Sequence, residues 1–284
     1  MKLFGNLFLS VGAMKAGTTW LYAVLSHHPE LHFTPEKEIH YFFCRYSGAQ
    51  LLSDETRLKN VKEKYLPRID PKTSSVDRTR LNLRWMANYL DRPVDDLWYS
   101  NLFHTNRTEK YACDFSNLTC HIPTEAWPRI KSECRKLRVL YTMRDPIKRL
   151  WSHTKFHLQV TGELDKLDNW ERDDFERFVR KQFIWDNAEY GVVIRSLKQG
   201  LEADDWMAVF YEDIHENQID ALRQIEAFLG VEAFNYPKEL LQRRFTESVS
   251  RPMPDFFAEI FSDDVNRIKN EIEAEGFQIP SSWT

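Results

Sequence analysis

The sequence lacks several features that would assign it to a common class of protein. It has only 4 cysteines in 284 residues, none of them in a Cys-x-x-Cys pair, so neither a disulfide framework nor a zinc site of that type is predicted. Basic residues are not in excess, since 39 Lys and Arg stand against 43 Asp and Glu. No apolar run approaches the ~20 residues of a membrane-spanning helix. We therefore expect a cytoplasmic protein with reduced cysteines, no nucleic-acid partner and no membrane span.

The sequence does contain enough apolar residues for one large domain over residues 1–284. Hydrophobic residues make up 42% of the chain and aromatic residues 14%, and no repeat or low-complexity linker divides it. Short apolar runs, typical of buried parallel strands, occupy residues 8–11, 31–33, 110–115, 137–142 and 206–211. They alternate with amphipathic segments, which predicts an α/β fold with a central parallel sheet of about five strands. We expect three layers, with helices on both faces, as in nucleotide kinases.

The segments between these runs include several with helical spacing of apolar residues. The helices that we predict include residues 55–65, 123–135, 147–158, 175–185, 188–201 and 217–229. Residues 44–105 have the least regular pattern, and their role is not assigned. Three arginines within residues 77–84 favour a solvated helix over a basic acceptor-binding insertion.

Glycine is scarce, with 9 residues, yet two of them bracket the loop that follows the first predicted strand. Gly12 and Gly17 precede a helix that begins near Thr18, and a helix start after such a loop is suited to phosphate. A nucleotide-hydrolysing P-loop has a lysine directly after its second glycine. Here Thr18 takes that position, and the only lysine of the loop, Lys15, lies two residues before Gly17. We predict a site for a phosphorylated cofactor.

A second charged segment follows the predicted strand at residues 31–33. It places Glu36, Lys37, Glu38 and His40 within five residues, ahead of an aromatic stretch. Such a cluster suits acid–base chemistry, although a solvated charged loop is an equal alternative on these residues alone. Because the carboxyl ends of parallel strands meet at one edge of the sheet, we expect this loop to lie beside the phosphate loop.

Two other strand ends supply candidate site residues. Arg144 follows the run at residues 137–142, and Ser152 lies eight residues further on, inside a helix that should begin at Pro146. A guanidinium and a hydroxyl together suit a phosphate, while a local ion pair with Asp145 is the alternative. Asp114 stands at the end of the run at residues 110–115. Histidines four residues apart in the same helix have no third ligand, so no metal site is predicted.

Taken together, these segments resemble the sulfotransferases that use 3′-phosphoadenosine 5′-phosphosulfate. The loop string is similar to the family's site for the 5′-phosphosulfate, and comprises Lys15, Ala16, Gly17, Thr18, Thr19 and Trp20. Arg144 and Ser152 resemble its 3′-phosphate site. The segment around Glu38 is similar to that of carbohydrate sulfotransferases of the heparan-sulfate type and of bacterial sulfotransferases. Tyr190 and the loop with Arg251 also resemble the family.

The resemblance implies a role for each of these residues. Glu38 is the base that takes the proton of an acceptor hydroxyl, with His40 orienting it, and Lys15 neutralises charge on the leaving group. The 5′-phosphate is held by residues 16–19, and the 3′-phosphate by Arg144, Ser152 and Arg251. Trp20 and Tyr190 line the adenine. The product is adenosine 3′,5′-bisphosphate, the acceptor is a carbohydrate or another small metabolite, and no metal is implied.

The chain also departs from the family pattern. Carbohydrate sulfotransferases often have a lysine where this chain has residues 113–116, and cytosolic ones have a histidine there that acts as the base. Neither is present, so Asp114 is a second candidate for the base after Glu38. Two alternatives stay open: a nucleoside or sugar kinase of the same fold, and a non-catalytic nucleotide-binding protein. The sequence does not predict the oligomeric state.

Overall fold

The centre of the fold is a five-stranded parallel sheet. The structure, a computed structural model, describes residues 2–70, 72–103, 109–245 and 249–283. Its strands are β1 (Phe4–Ser10), β2 (Leu31–Phe33), β3 (Tyr111–Phe115), β4 (Cys134–Met143) and β5 (Trp206–Phe210). They are arranged in the order β2-β3-β1-β4-β5, and every neighbouring pair is parallel. The predicted α/β class and the number of strands are confirmed.

The register of the sheet brings three loops to one edge. Ser10, the last residue of β1, lies opposite Phe115 of β3 and Leu140 of β4. Because the three strands are parallel and end close together, the segments that follow them meet at the same edge. The phosphate loop therefore lies between the segment that follows β3 and the one that follows β4.

Helices cover both faces of the sheet. They are α1 (Thr18–Leu25), α2 (Tyr41–Ser47), α3 (Asp54–Asn60), α4 (Val76–Leu90), α5 (Asp96–Asn101), α6 (Ala126–Glu133), α7 (Pro146–Val160), α8 (Arg172–Val179), α9 (Gln182–Trp185), α10 (Tyr190–Gly200), α11 (Tyr211–Glu216), α12 (Gln218–Leu229), α13 (Lys238–Gln242), α14 (Asp255–Ile260) and α15 (Ser262–Ala274). Residues of α1 and α12 share one hydrophobic cluster with the sheet, and those of α6, α7, α10 and α15 share the other. Within the described ranges, no helix is long and apolar enough to cross a bilayer.

Some helix boundaries differ from the prediction for physical reasons. The helix predicted over residues 175–185 is two helices, α8 and α9, since the backbone of Lys181 between them is extended. The carbonyl of Ile184 in α9 accepts a hydrogen bond of 2.8 Å from the buried Arg149 guanidinium, a partner that the sequence pattern does not reveal. The helix predicted over residues 123–135 ends at Glu133, because β4 begins at Cys134 and is longer than predicted.

In the described part of residues 44–105, which the sequence pattern left largely unassigned, the chain forms the end of α2, helices α3 to α5 and an aromatic cluster. Trp85 and Tyr89 of α4 stack at 4.9 Å, and Tyr65 packs edge-on against Trp85 at 5.0 Å. Arg57 is buried and donates hydrogen bonds to the carbonyls of Leu52, Tyr89 and Asp91. Trp85 is therefore part of a larger buried aromatic cluster.

Candidate active site

Two glycines shape the loop between β1 and α1. Gly17 has a φ of 87°, and a Cβ at this position would lie 2.7 Å from the Tyr211 ring, so only glycine fits there without displacing it. A Cβ on Gly12 would lie 3.1 Å from both the Asn117 carbonyl oxygen and Cys120 Sγ. The loop therefore packs closely against the segments after β3 and β5, and it leads directly into the N-terminus of α1.

Lys15 is a cation without an acidic partner. It has a φ of 71°, and its Nζ lies 4.3 Å from the centre of the Phe156 ring. Burial, together with the nearby charges of Arg144, Lys37 and Lys155, lowers the pKa of Lys15 to about 8. Among the described residues, no carboxylate lies within 4.0 Å of Nζ. A cation held among other cations is suited to an anionic ligand.

Arg144 is fixed beside Lys15 by three contacts. Its Nη1 donates to the Lys15 carbonyl at 3.2 Å, its guanidinium lies 4.4 Å from the centre of the Tyr211 ring, and the Tyr190 hydroxyl donates to its carbonyl at 2.8 Å. Its Nε is buried without a hydrogen-bond partner in the described part of the chain. The alternative pairing with Asp145 is not observed. The Asp145 side chain instead caps α7 by accepting the Lys148 N–H at 3.0 Å.

The other predicted phosphate ligands are placed differently. Ser152 lies on α7 and is nearly buried. The loop with Arg251 packs against the same helix, since Trp151 Nε1 donates to the Arg251 carbonyl at 3.3 Å. However, the Arg251 guanidinium pairs with Asp168 at 2.7 Å, and it must leave this partner to reach a ligand. Its role stays a prediction.

Trp20 and Tyr190 are buried rather than open to a ligand. The Trp20 indole donates to the Leu241 carbonyl at 3.1 Å, and its ring lies 6.0 Å from that of His215. Tyr190 is fully buried, and its observed role is to hold Arg144. The contacts that we expect of Trp20 and Tyr190 with an adenine both stay predictions.

The loop with Glu38 is anchored to the end of β3. The Glu38 N–H donates to the Phe115 carbonyl at 2.9 Å, and its Oε2 accepts the Asn117 N–H at 2.7 Å. Lys37 Nζ donates to Glu38 Oε1, and His40 Nε2 lies 3.8 Å from Oε2. The carboxylate is about one-quarter exposed, so it is oriented by the protein and open on one side.

Strained backbone is concentrated in these two loops. Within the described ranges, the non-glycine residues with positive φ are Lys15, Glu38 and His40. This conformation costs a non-glycine residue on the order of 1 kcal/mol or more, and such residues cluster at functional sites. Three residues selected from the sequence for their chemistry are therefore also those whose backbone is strained.

Asp114 lies behind the Glu38 loop rather than at its surface. Its two carboxylate oxygens accept hydrogen bonds from the hydroxyls of Ser116 at 2.6 Å and Tyr99 at 2.9 Å. Complete burial raises the pKa of Asp114 to about 6. Ser116 Oγ in turn accepts the backbone N–H of His40 at 2.9 Å. Asp114 is therefore placed to position His40 through Ser116.

Sequence reasoning assigned no role to several side chains that the structure places here. Tyr211 supports Arg144 and Gly17, and the Asn187 side chain accepts the Met14 N–H at 3.3 Å. Glu36, by contrast, belongs to the charged cluster predicted from the sequence. It pairs with Lys64 at 3.7 Å, and burial raises the pKa of Glu36 to about 7. The position of Tyr211 directly after β5 is a sequence signal that could have placed it at the site. No sequence signal indicates the position of Asn187. Across the described residues, no group of three or more His, Cys, Asp or Glu is arranged to hold a metal ion.

Comparison with known proteins identifies the family of the chain. A model of the sulfotransferase family matches residues 8–235, which is most of the chain. The chain belongs to the sulfotransferase family. This family match does not support the kinase alternative. Carbohydrate sulfotransferase 15 of Homo sapiens is 23% identical over 87% of this chain and 48% of its own length. This sulfotransferase thus spans about half the length of the curated relatives that it matches.

Two solved structures show the same fold. The sulfotransferase from Alicyclobacillus acidocaldarius has a TM-score of 0.62 at 20% identity, and the match covers 98% of both chains. The sulfotransferase domain of the Synechococcus PCC 7002 olefin synthase has a TM-score of 0.52 at 16% identity, with 99% of this chain and 98% of that chain covered. At these identities, the comparison concerns the fold alone.

Proposed function

We propose that this sulfotransferase moves a sulfuryl group from 3′-phosphoadenosine 5′-phosphosulfate to an acceptor hydroxyl, with Glu38 as the base. One observation carries the proposal. Lys15, a cation with no acidic partner among the described residues, and Glu38, a carboxylate that is about one-quarter exposed, both have strained backbone. Their loops lie at one edge of the sheet. An anionic donor and a neutral nucleophile need these two kinds of group.

The residues present fit an anionic donor. Lys15, Arg144 and Lys155 form no ion pair with a described carboxylate, and Arg144 Nε is buried without a partner. The N-terminus of α1 adds backbone N–H groups and the positive end of the helix dipole. When bound, the donor supplies a sulfuryl group activated by its link to phosphate. Lys15 and the start of α1 would hold its 5′ end, and Arg144 with Ser152 its 3′-phosphate.

The protein residues act by charge stabilisation and proton transfer. Glu38 accepts the proton of the acceptor hydroxyl while the acceptor oxygen bonds to sulfur and the bond from sulfur to the phosphate oxygen breaks. The electron pair stays on that phosphate oxygen, where the Lys15 ammonium stabilises the developing charge. The Asn117 N–H keeps the Glu38 carboxylate in place, and Asp114 positions His40 through Ser116. This chemistry depends on positioning, as in phosphoryl transfer.

A carbohydrate or another small metabolite is the proposed acceptor. The name of the human relative, a carbohydrate sulfotransferase, supports the first choice, although this chain spans only 48% of that protein. A cytoplasmic location is proposed from the four cysteines, which are free thiols.

The direct test is transfer of labelled sulfate from the donor into a panel of sugars, phenols and lipids. The proposal expects label in at least one hydroxyl-bearing acceptor and release of adenosine 3′,5′-bisphosphate in equal amount. A matched reaction with labelled ATP and Mg²⁺ should transfer nothing. Transfer from ATP alone would contradict the proposed donor.

A further inference from the structure

Lys37 is the cation nearest to the proposed base. Its Nζ donates directly to Glu38 Oε1, and its side chain is 18% exposed. Glu36 of the same loop forms a second pair of this kind with Lys64, which lies after α3 and is 51% exposed. Lys37 is therefore enclosed at the site, whereas Lys64 approaches from the protein surface.

The charge of Lys37 reaches the donor side of the site as well. It is one of the causes that lower the pKa of Lys15, and it also lowers the pKa of His40. The charge of its ammonium therefore acts on Lys15 in the phosphate loop and on His40 in the Glu38 loop. The end of β3, residues 113–116, contributes no basic side chain to this region.

Because Lys37 is paired with Glu38, the counter-charge beside its ammonium changes during the reaction. Before transfer, the Glu38 carboxylate balances the Lys37 ammonium. When Glu38 takes up the acceptor's proton, the carboxyl becomes neutral and the ammonium loses its counter-charge. At that moment negative charge grows on the oxygens around sulfur and on the leaving phosphate oxygen.

We propose that Lys37 is a catalytic residue whose ammonium contacts the sulfuryl oxygens of the bound donor and binds them more strongly during transfer. This inference rests on the proposed function. The acceptor oxygen bonds to sulfur, its proton goes to Glu38, and the electron pair of the broken bond stays on the phosphate oxygen. Lys37 keeps its proton throughout. Lys15 acts at the phosphate end of the breaking bond, and Lys37 at the sulfuryl end.

The test compares two nucleotides that differ only in the sulfuryl group. Calorimetry, without acceptor, measures binding of 3′-phosphoadenosine 5′-phosphosulfate and of adenosine 3′,5′-bisphosphate to the full chain. Lys37→Met should weaken binding of the first by ~10-fold and leave the second within about twofold, because only the first has the group that Lys37 contacts. Turnover should fall by ~10²-fold, and Lys37→Arg should restore part of both.

Lys64→Met is the matched control, since it removes the other lysine paired with a glutamate of this loop. It should leave both affinities and turnover within about threefold. Thermal melting checks that each variant is folded, and Lys37→Gln replaces Lys37→Met if the latter is not.

Three results would overturn the inference. Equal weakening of both nucleotides would make Lys37 a general anion ligand, and a loss of turnover with both affinities unchanged would mean that it acts only through Glu38. If the wild-type protein binds neither nucleotide, the proposed donor itself is wrong, which is a different outcome from a failure at Lys37 alone.

Discussion

On the donor side of the site, Lys15 and Arg144 have no carboxylate partner among the described residues, whereas on the acceptor side Lys37 is paired with Glu38. The cations of the donor side contact aromatic rings and a backbone carbonyl instead of acids. Lys15 lies over the Phe156 ring, and Arg144 lies over the Tyr211 ring and donates to the Lys15 carbonyl. The Lys37–Glu38 pair on the acceptor side has no net charge until Glu38 takes up a proton.

This difference indicates what each side can bind. Burial, and then repulsion from the neighbouring cations, lowers the pKa of Lys15 to about 8, and an external anion relieves that repulsion. A neutral ion pair attracts no anion strongly, but its carboxylate can take a proton. The two sides thus suit a charged donor and an uncharged nucleophile.

The largest expected effect is the loss of the base. Glu38→Gln should lower turnover by ~10²-fold or more, because the amide cannot accept the proton of the acceptor, while the affinity for adenosine 3′,5′-bisphosphate should stay within about twofold. Steady-state sulfate transfer and calorimetry measure the two quantities.

Asp114→Asn is the comparison for that variant, since it changes the second candidate for the base. Its turnover should fall much less, because the Asp114 oxygens are already occupied by Ser116 and Tyr99. Near-normal turnover of Glu38→Gln, with a large loss in Asp114→Asn, would exchange the roles of the two residues.

Removal of a donor-side cation should have the next largest effect, and on a different quantity. Arg144→Gln should weaken binding of adenosine 3′,5′-bisphosphate by ~10- to 100-fold, as expected for the loss of a charged hydrogen-bond donor. Turnover at saturating donor should change far less. An unchanged affinity would show that Arg144 does not contact the nucleotide.

The smallest effect concerns pH. The pKa of Lys15 is lowered from its ordinary value of 10.5 to about 8, so its ammonium is present below pH 8 and is lost as the pH rises through that value. The kcat/KM for the donor should therefore be level below pH 8 and fall above it. Lys15→Arg should remove this alkaline limb, because arginine stays charged. A wild-type profile that stays level up to pH 10 would contradict the assignment.

Much of the framework was predictable from the sequence because its signals are local. Continuous apolar runs mark β1, β3, β4 and β5, and Asp145-Pro146 marks the start of α7, where the Asp145 side chain caps the helix. The loops with Lys15 and Glu38 could be placed together because parallel strands end at one edge. The single-domain organisation and the cytoplasmic location stay predictions.

The rest depends on residues that are far apart in the chain. The Tyr99 hydroxyl that satisfies Asp114 comes from α5, a helix in the region where the pattern was unclear. The burial of Tyr190 beneath Arg144 depends on how α10 packs, which helical spacing does not reveal. The Lys37–Glu38 pair forms in a loop whose positive φ at Glu38 the sequence does not suggest.

The measurement that tests the central claim most directly is a calorimetric titration of the wild-type protein with adenosine 3′,5′-bisphosphate, alongside ATP with Mg²⁺. The uncompensated cations at Lys15 and Arg144 predict saturable binding of the bisphosphate, with much weaker binding of ATP. Equal binding of ATP with Mg²⁺, or no binding of the bisphosphate at millimolar concentration, would contradict the account.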